Sequence, residues 1–488
     1  MHLASLLVRL GRYVATDQPR TRRIGLSATV GDVAVAQRYL SPDEPGRVTV
    51  IADSGESKEV QFRIHGYLRP QEKPESAGEK GSDKSAQDAK DEAALKVMGT
   101  IAADLVEHCR THSNLVFANA KGDIEIYADL ANEVCRGEGL PETFIVHHGS
   151  LAKEVREDTE TTMKSGRAMT TVCSSTLEMG VDIGSVRLVG QIGAPWSVAS
   201  FKQRLGRSGR KDGEPRRLRG YVISDAAPDP KDPVSAIPID LLQTVAICEL
   251  MLKKWVEPPS PARLDVSTLS HQVISTIAEL GAVTAAELHT RLCVQGPFRG
   301  FTPALFVCVL RELGQVDVVE QGPDGKLILG LDGEFLRKQK DFYAAFASKS
   351  EYAIVAGDRT LGTLPIETVP KEGEHIVFAA RRWQVVDVDA AKLVLHVVPA
   401  KRRQRPKFTG SGGDVHARIR DEMLPGHATD AAFELDDSRI SKLWLQEHFT
   451  HTEVACFDRG WDRQPATDAA RAIVGLLAAG LAKHVFGA

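Results

Sequence analysis

Apolar runs and amphipathic segments alternate along the chain from about Leu95 onward. Five of the apolar runs have the length of buried strands, at residues 114–117, 143–147, 168–173, 186–192 and 220–223. Residues 121–135 and 151–164 lie between these runs and have helical spacing of their apolar positions. Strands separated by helices need crossover connections, which make neighbouring strands parallel. The pattern therefore predicts an α/β domain built on a parallel sheet.

The segment before this domain follows other patterns. Residues 1–10 have the spacing of an amphipathic helix, and residues 22–29 read as a short strand that enters a polar turn. Residues 71–91 contain almost no large apolar side chain, which is typical of a mobile insertion or linker. We therefore expect a break in the fold before the α/β domain.

The segment after this domain begins with two proline-rich breaks, at 228–238 and 258–261. Three short helices are predicted next, at 271–280, 284–293 and 303–313, followed by a hairpin over 316–330. Three helices and a hairpin in this order indicate a winged helix. Short β runs over 352–399 predict a small β-barrel, and the tail to Ala488 returns to helical spacing.

Composition narrows the class of protein. The 488 residues carry 61 Lys and Arg against 65 Asp and Glu, a formal net charge of −4, which excludes a uniformly basic nucleic-acid-coating protein but not a local basic groove. The seven cysteines form no C-x-x-C pair and are interpreted as reduced core thiols. Since no apolar run is long enough to cross a bilayer, we expect a cytoplasmic protein without a membrane partner.

Three arginines at three-residue intervals stand in the segment QRLGRSGR, namely Arg204, Arg207 and Arg210. A guanidinium group binds two phosphate oxygens at once and stays charged, so it suits the charge that develops on a phosphoryl group during transfer. The glycines between them allow close backbone approach. A solvated basic helix end that binds anions is the alternative interpretation.

A polar loop follows the apolar run at 168–173 and reads CSSTLEMGVDIG. Its hydroxyl and backbone N–H groups suit phosphates, and Asp182 can accept a hydrogen bond from a ribose hydroxyl. Asp182 also has the character of a helix cap, and that alternative stays open.

Five short segments occur in the order in which superfamily 2 helicases carry motifs III to VI. They are GLSAT at 25–29, LVFAN at 115–119, HHGSL at 147–151, SSTLEMGVDIG at 174–184 and QRLGRSGR at 203–210. The chain resembles the Lhr-like (large helicase-related) family of DEAD/DEAH-type helicases. This resemblance implies a RecA-like C-terminal lobe, ATP and Mg²⁺ as cofactors, and 3′ to 5′ movement on single-stranded nucleic acid.

The resemblance also implies roles for individual residues. Arg207 and Arg210 would reach the γ-phosphate of ATP, with Arg204 supporting them, and Gly180 and Asp182 would couple ATP to the nucleic-acid backbone. The remaining motif residues would contact nucleic acid or link hydrolysis to lobe movement: Ser27, Thr29, Asn119, His148, Gly149, Ser150, Ser175 and Thr176. A structural strand-end pair is the alternative for His147 and His148, and a metal site is not predicted.

Two further nucleic-acid contacts are predicted downstream. Trp383 is a candidate for stacking on a base, with a core position in the barrel as the alternative. Residues 401–407, which include Arg402 and Arg403, form a basic patch suited to phosphates, with a solvated loop as the alternative.

Two motifs of a complete motor are not found in the 488 residues. Neither a phosphate-binding G-x-x-x-x-G-K-[ST] loop nor a D-E-x-H motif occurs; the nearest segment, GEKGSDKS at 78–85, has Asp83 in place of the second glycine. We therefore expect an N-terminally truncated helicase or one half of a split motor, without ATPase activity of its own. The predicted domains are a remnant of the first RecA-like lobe at 1–60, a linker at 61–94, the second RecA-like lobe at 95–240, a winged helix at 241–335 and a barrel with a helical tail at 336–488.

The expected partners are single-stranded DNA or RNA, a DNA or DNA–RNA duplex, and a separate N-terminal helicase half. A non-catalytic nucleic-acid-binding module is the alternative from another functional class. A Rossmann-type enzyme is disfavoured because no G-x-G-x-x-G follows the first strand of the sheet.

Overall fold

The computed structural model describes residues 1–14, 22–27, 29–52, 58–69, 83–178, 183–184, 186–211, 213–225, 238–258, 264–339, 342, 350–404 and 414–423. The chain divides into two compact units. The helical unit comprises residues 1–53 and 258–349, and the α/β unit comprises residues 54–257 and 350–488.

The described helices are α1 (His2–Leu10), α2 (Val33–Leu40), α3 (Asp83–Cys109), α4 (Lys121–Gly137), α5 (Lys153–Lys164), α6 (Val198–Leu205), α7 (Ile239–Leu252), α8 (Val266–Leu280), α9 (Ala285–His289), α10 (Pro303–Gln315), α11 (Leu331–Lys338) and α12 (Ala417–Met423). The described strands are β1 (Val60–Arg69), β2 (Asn114–Ala118), β3 (Phe144–His147), β4 (Thr170–Cys173), β5 (Leu188–Ile192), β6 (Arg216–Asp225), β7 (Val319–Gln321), β8 (Leu327–Leu329), β9 (Glu351–Ala356), β10 (Arg359–Pro365), β11 (His375–Phe378), β12 (Arg381–Asp389) and β13 (Val394–Pro399).

The α/β unit is built on a parallel sheet of six strands in the order β1-β6-β5-β2-β4-β3. All five residues of β2 are buried, which is expected where helices cover both faces of a parallel sheet. The sheet confirms the α/β prediction, and each of the five predicted strands overlaps an observed one.

A second sheet in the same unit, here called the C-terminal sheet, has the strand order β10-β9-β13-β12-β11. Its strands pair antiparallel, except that β13 and β9 are parallel. Ile354, Phe378 and Leu395 from this sheet share one hydrophobic cluster with Ile101 of α3 and Tyr127 of α4. The C-terminal sheet is thus an integral part of the α/β unit; its closure into a barrel stays a prediction.

The structure corrects the predicted linker at 61–94. Residues Val60–Arg69 form a strand paired in parallel with β6, and the backbone is helical from Asp83. Phe62 and Ile64 are buried while charged residues alternate with them, so the segment is a half-buried edge strand whose polarity conceals it in the sequence.

The predicted boundary at 240/241 also moves. Helix α7 packs against β6 and α6, and its central residues are buried, so the unit continues to Glu257. The proline-rich stretch at 228–238 precedes this helix and does not end the domain.

The helical unit contains α8 to α11 and the β7–β8 hairpin around a separate core that includes Leu269, Phe306 and Val319. The order of its elements agrees with the predicted helices and hairpin, and the assignment as a winged helix stays a prediction. Helix α1 belongs to this unit: the Ser5 hydroxyl donates to Gln272 Oε1 at 2.8 Å, and Arg9 pairs with Glu279.

The short strand predicted at 22–29 is absent from the described residues 22–27. Ile24 is 83% and Leu26 is 95% exposed, and no described strand pairs with this segment. The predicted helical tail lies outside the described residues apart from α12. Among the described helices, none is long and apolar enough to span a membrane.

Candidate functional site

The carboxyl ends of four parallel strands meet at one edge of the six-stranded sheet. Ala118 at the end of β2 pairs with Ile192 at the end of β5, and Cys173 at the end of β4 pairs with His147 at the end of β3. Ligand sites of open α/β sheets form at this edge, because the loops that leave the strands converge there. The edge therefore brings together the predicted residues that follow β2, β3 and β4, which are Asn119, His148, Gly149, Ser150, Ser175 and Thr176.

Arg204 lies at the last turn of α6 and is buried in a polar cluster. Its Nε donates to Glu178 Oε1 at 2.7 Å and its Nη1 donates to Gln191 Oε1 at 2.6 Å. The guanidinium carbon also lies 5.0 Å from the centre of the Phe117 ring, a cation–π distance. With only 5% of the residue exposed, Arg204 is held by these protein groups.

Arg207 lies one turn further and shares the same acidic residue. Its Nε donates to the backbone carbonyl of Glu178 at 3.0 Å, and its Nη2 donates to the same oxygen. Burial, and then the neighbouring charge of Arg210, lower the pKa of Arg207 below its usual value. Glu178 is therefore the group that fixes both arginines, and it immediately precedes the segment 179–182.

Gly180 and Asp182 lie in that segment, outside the described residues. Arg210, in contrast, is described and exposed. It follows Gly209, which has a φ of +61° and lies so close to Pro215 that a Cβ would be 2.7 Å from the Pro215 carbonyl oxygen. This turn requires glycine, and it directs the chain so that Arg210 leaves the packed cluster.

A lysine that the sequence did not single out holds the same turn. Lys58 Nζ donates to the carbonyl oxygens of Gly209 at 2.8 Å, Arg210 at 3.2 Å and Lys211 at 2.8 Å. An ammonium group has three donors, so three converging carbonyl groups satisfy it fully. Lys58 therefore fixes the backbone from which Arg210 projects.

The loop after β3, here called the strand-end loop (residues 148–152), buries two of the side chains that are predicted to contact nucleic acid. His148 is fully buried, and its Nε2 lies 2.9 Å from the Glu125 carboxylate. Ser150 is 4% exposed, and its hydroxyl accepts a hydrogen bond from Lys121 Nζ at 2.7 Å. Protein groups cover both side chains in this structure, and their direct contact with nucleic acid stays a prediction; Gly149 between them is exposed.

The loop after β4 keeps its polar groups nearer the surface. Ser175 is exposed, and the Thr176 hydroxyl lies 2.8 Å from His147 Nδ1. Burial lowers the pKa of His147 below its usual value, against the opposing effect of Glu160 at 3.2 Å. Asn119 after β2 is exposed and donates to the Ala194 carbonyl at 2.6 Å, which ties the ends of β2 and β5 together.

Ser27 and Thr29 lie in the helical unit. The Ser27 hydroxyl lies 2.6 Å from the Thr29 carbonyl oxygen and accepts from the Thr29 N–H at 3.2 Å. This is a local turn of the kind that serine forms with its own backbone.

Trp383 is placed in the core, and its stacking on a base stays a prediction. It is 7% exposed within the core of the C-terminal sheet, and its indole N–H donates to the Phe378 carbonyl at 2.9 Å. Its alternative interpretation as a core residue is the one observed, because alternate residues of β12 face the shared core.

The predicted basic patch is divided between two environments. Arg402 is exposed, whereas Arg403 pairs with Asp129 and Glu133 of α4. Burial raises the pKa of Glu133, but hydrogen bonds from Arg403 and Arg382 outweigh it and lower the pKa overall. Arg403 is therefore a structural cation, and residues 405–407 of the patch lie outside the described residues.

One group of possible metal ligands occurs among the described residues: Asp104, Glu107 and His108. Asp104 is already engaged, since it accepts from Arg219 Nε at 2.8 Å and from the Tyr221 hydroxyl at 2.6 Å. These residues belong to α3 and β6, and we assign no metal to them. Of the described cysteines, Cys308 is exposed and the other five are buried; all six are free thiols.

Comparison with known families gives two matches along the chain. Residues 98–212 match the helicase conserved C-terminal domain, a range that begins within α3, includes strands β2 to β5 of the six-stranded sheet and ends just after the arginine segment. Residues 427–482 match a domain of unknown function, DUF7678.

Curated relatives are helicases by name. The chain is 31% identical to an ATP-dependent helicase Lhr-Core of Saccharolobus solfataricus over 470 residues, which are 92% of this chain and 48% of that protein. It is 25% identical to the Lhr helicase/uracil glycosylase of Escherichia coli over 466 residues, 86% of this chain and 29% of that protein. The chain thus spans less than half the length of either relative.

A solved structure agrees with these relatives. The Mycobacterium smegmatis helicase Lhr bound to ssDNA and AMP-PNP is similar with a TM-score of 0.50 and 26% identity, covering 72% of this chain and 41% of that one. The sheet order, the motif positions and these similarities agree with one another. The chain is therefore a homologue of the Lhr-type helicases that carries a helicase conserved C-terminal domain.

Proposed function

We propose that the α/β unit is the second RecA-like lobe of an Lhr-type motor, which moves 3′ to 5′ on single-stranded DNA at the expense of ATP. The observation that carries the proposal is that the three arginines have different environments. Arg204 is buried and paired, Arg207 is held by a backbone carbonyl, and Arg210 is exposed on a turn fixed by Lys58. A rigid base with an exposed cation at its end is what a charge-stabilising arginine requires.

Arg210 and Arg207 are the residues that we assign to the γ-phosphate. ATP, when bound, supplies the phosphoryl group whose transfer to water drives movement. Arg210 is exposed and so can bind phosphate oxygens, and Arg207 would reach them by exchanging the Glu178 carbonyl for a phosphate oxygen. Arginines in this role contribute about 10³- to 10⁵-fold to the rate of related phosphoryl transfers. Arg204 is a positioning residue, because it acts through Glu178.

Glu178, a described acidic residue of the site, does not fit as a Mg²⁺ ligand. The Glu178 carboxylate is engaged by Arg204 and by the Ser200 hydroxyl at 2.9 Å, so it is not available as a metal ligand. The 488 residues also contain no phosphate-binding G-x-x-x-x-G-K-[ST] loop and no D-E-x-H motif. We therefore infer that this chain does not hydrolyse ATP by itself, and that a P-loop lobe completes the site.

Nucleic acid is the second ligand of the proposal. Asn119, Gly149, Ser175 and Thr176 lie at loops along the carboxyl edge of the sheet, where exposed backbone N–H and hydroxyl groups suit the phosphates of a single strand. The helical unit, interpreted as a winged helix, adds a further nucleic-acid contact. DNA is preferred over RNA because the Lhr structure named above is a complex with ssDNA.

A titration of the purified chain with fluorescent single-stranded DNA, repeated at several salt concentrations, tests this proposal. We expect binding whose logarithm falls linearly with log salt, by about 0.7 per phosphate contacted, and no ATP hydrolysis above background. An equal titration with RNA of the same length tests the DNA preference. Failure to bind either strand contradicts the proposed role, and hydrolysis that Arg207→Ala abolishes contradicts the inference that the chain is inactive alone.

A non-catalytic nucleic-acid-binding module is the second candidate function. It is favoured by the lack of the two nucleotide-binding motifs in the 488 residues. It predicts the same salt dependence but no effect of Arg207 or Arg210 on any nucleotide-dependent property, in any combination with a P-loop lobe.

A further inference from the structure

One face of α4 carries four charged residues at intervals of four. Lys121, Glu125, Asp129 and Glu133 succeed one another along the helix, so they share a face. Each of them contacts either the strand-end loop or the C-terminal part of the α/β unit. This face, here called the charged face of α4, is therefore the seam between the parallel sheet and the C-terminal sheet.

Glu125 is the residue of this face that touches both sides of the seam. Glu125 is completely buried. Oε1 accepts from the Ala379 N–H at 2.9 Å and lies 2.9 Å from His148 Nε2, and Oε2 accepts from the Ala380 N–H at 2.8 Å. One carboxylate thus joins the turn between β11 and β12 to the first residue of the strand-end loop.

The turn that Glu125 holds is strained. Ala379 and Ala380 have φ values of +53° and +57°, a region that residues with a Cβ rarely adopt. Two successive N–H groups in this conformation point to one side and form a small anion-binding nest. The Glu125 carboxylate occupies this nest, so the strain of the turn and the buried negative charge stabilise each other.

The backbone completes the connection between the strand-end loop and the C-terminal sheet. The Ala152 N–H donates to the Leu361 carbonyl at 2.9 Å, and the Thr363 N–H donates to the Ser150 carbonyl at 2.8 Å. Between these bonds Leu151 pairs with Gly362, where a Cβ would lie 2.2 Å from the Ser150 carbonyl oxygen. The strand-end loop is therefore tied to β10 by an isolated antiparallel bridge, and only glycine fits at the crossing point.

We propose that Glu125 is a positioning residue for nucleic-acid binding, which through His148 and the β11–β12 turn fixes the conformation of the strand-end loop on the C-terminal sheet. This inference rests on the proposed function, in which the exposed Gly149 of that loop faces phosphates. The C-terminal sheet then affects binding of the single strand indirectly, because it fixes the conformation of the strand-end loop. Its own Trp383 lies in the core.

Asp129 provides a matched control on the same helix face. It is 2% exposed and joins α4 to Arg382 and Arg403. Among the described residues, its hydrogen bonds do not reach the strand-end loop. Glu125→Gln and Asp129→Asn each replace one buried carboxylate by an amide of equal size. A purely structural role predicts the same behaviour from both variants, whereas the proposal predicts different behaviour of the strand-end loop.

Hydrogen–deuterium exchange on the whole chain, without nucleic acid, is the first test. We expect Glu125→Gln to speed amide exchange of residues 149–152 by about tenfold, since charged hydrogen bonds to the nest and to His148 are weakened. Asp129→Asn is expected to leave these amides within about twofold of the parent chain. Equal acceleration in both variants, or no change in either, overturns the proposal.

Two further variants keep the test decisive. Glu125→Asp replaces Glu125→Gln in the test if Glu125→Gln does not fold. It retains the charge but withdraws the carboxylate from the nest, so we expect the same exchange pattern at smaller amplitude. Gly362→Ala disturbs the loop from the side of the C-terminal sheet, and its effect on loop exchange should not add to that of Glu125→Gln. Full additivity of the two contradicts a shared action on the loop.

Binding of single-stranded DNA is the second test. Glu125→Gln should weaken affinity and flatten the salt slope by about one phosphate contact, and Asp129→Asn should change neither. A parent chain that binds no DNA overturns the proposed function. A parent chain that binds while both variants bind equally well overturns only the positioning role of Glu125, so the two failures are distinguishable.

Discussion

Replacing Arg204 by methionine tests the assignment of the three arginines most sharply. The change removes the cation but keeps a long apolar side chain at the last turn of α6. It leaves the Glu178 carboxylate, whose side chain is only 11% exposed, with Ser200 as its remaining donor, and it leaves the Gln191 amide oxygen without Arg204 Nη1. We therefore expect a loss of stability, although Arg204 is not expected to touch a ligand.

The size of the loss follows from the burial of the pair. Removing one partner of a buried ion pair costs about 3–5 kcal/mol, because an uncompensated charge remains in the protein. Loss of the contact between the guanidinium and Phe117 acts in the same direction. In a unit of about 340 residues, each kcal/mol lowers the Tm by about 1–2 °C, so we expect a fall of about 5 °C for the unit.

Differential scanning calorimetry of Arg204→Met and Arg210→Met measures the effect. Arg210 is exposed, so its replacement is expected to change stability by no more than about 0.5 kcal/mol. Equal Tm values for both variants and the parent chain refute the buried role of Arg204. A large fall for Arg210→Met refutes the interpretation of Arg210 as the exposed cation of the site.

Four further predictions address other parts of the chain. Lys58→Met should speed amide exchange at residues 209–211, because three carbonyl groups lose their shared donor; unchanged exchange contradicts its role. Burial lowers the pKa of His65 to about 4, so its contribution to stability is complete above its unfolded pKa of about 6.5 and disappears as the pH falls from there toward 4. Denaturation of His65→Phe should accordingly be less pH-dependent in that window, and an unaltered dependence argues against a neutral buried imidazole. Trp383→Phe should lower stability by about 1 kcal/mol through the lost hydrogen bond while DNA affinity stays the same, and weaker DNA binding by a folded variant restores the stacking role. Arg402→Gln should flatten the salt slope of DNA binding, and Arg403→Gln should instead lower the Tm; the reverse pattern contradicts their assignment.

The core of the α/β unit follows directly from the sequence pattern. Strand β2 is apolar along its whole length because helices cover both faces, and such a run is visible without a structure. Strand β1 is not visible in the same way, because Arg63 and His65 interrupt the apolar positions that face the core. Helix α7 is buried on most sides, so it has no polar stripe to set its boundary, and the prolines before it suggest a domain break that does not exist.

The candidate site, too, could be predicted only in part from the sequence. The three arginines have equal spacing and equal chemistry in the sequence, and only partners that are distant along the chain distinguish them: Glu178 and Gln191 bury Arg204, and Lys58 holds the turn that carries Arg210. The burial of His148 likewise depends on Glu125, a residue 23 positions away.

One signal of this seam is present in the sequence. Lys121, Glu125, Asp129 and Glu133 repeat at helical spacing within a segment whose helical pattern is clear. A charged stripe on a helix is usually solvated, so the pattern alone does not indicate a buried contact. The C-terminal sheet supplies the two backbone N–H groups and Arg382 that make burial of Glu125 and Asp129 favourable, and it is formed by residues more than 200 positions later.

The central claim, that Arg207 and Arg210 of this chain act on ATP bound by a P-loop lobe, is tested by ATP hydrolysis in a mixture. The chain is combined with a separately produced polypeptide that contains the P-loop and D-E-x-H segments of an Lhr-type helicase, and phosphate release is measured with single-stranded DNA present. We predict hydrolysis that neither polypeptide gives alone and that Arg207→Ala or Arg210→Ala in this chain abolishes. DNA-dependent hydrolysis that persists unchanged in both variants would contradict the claim.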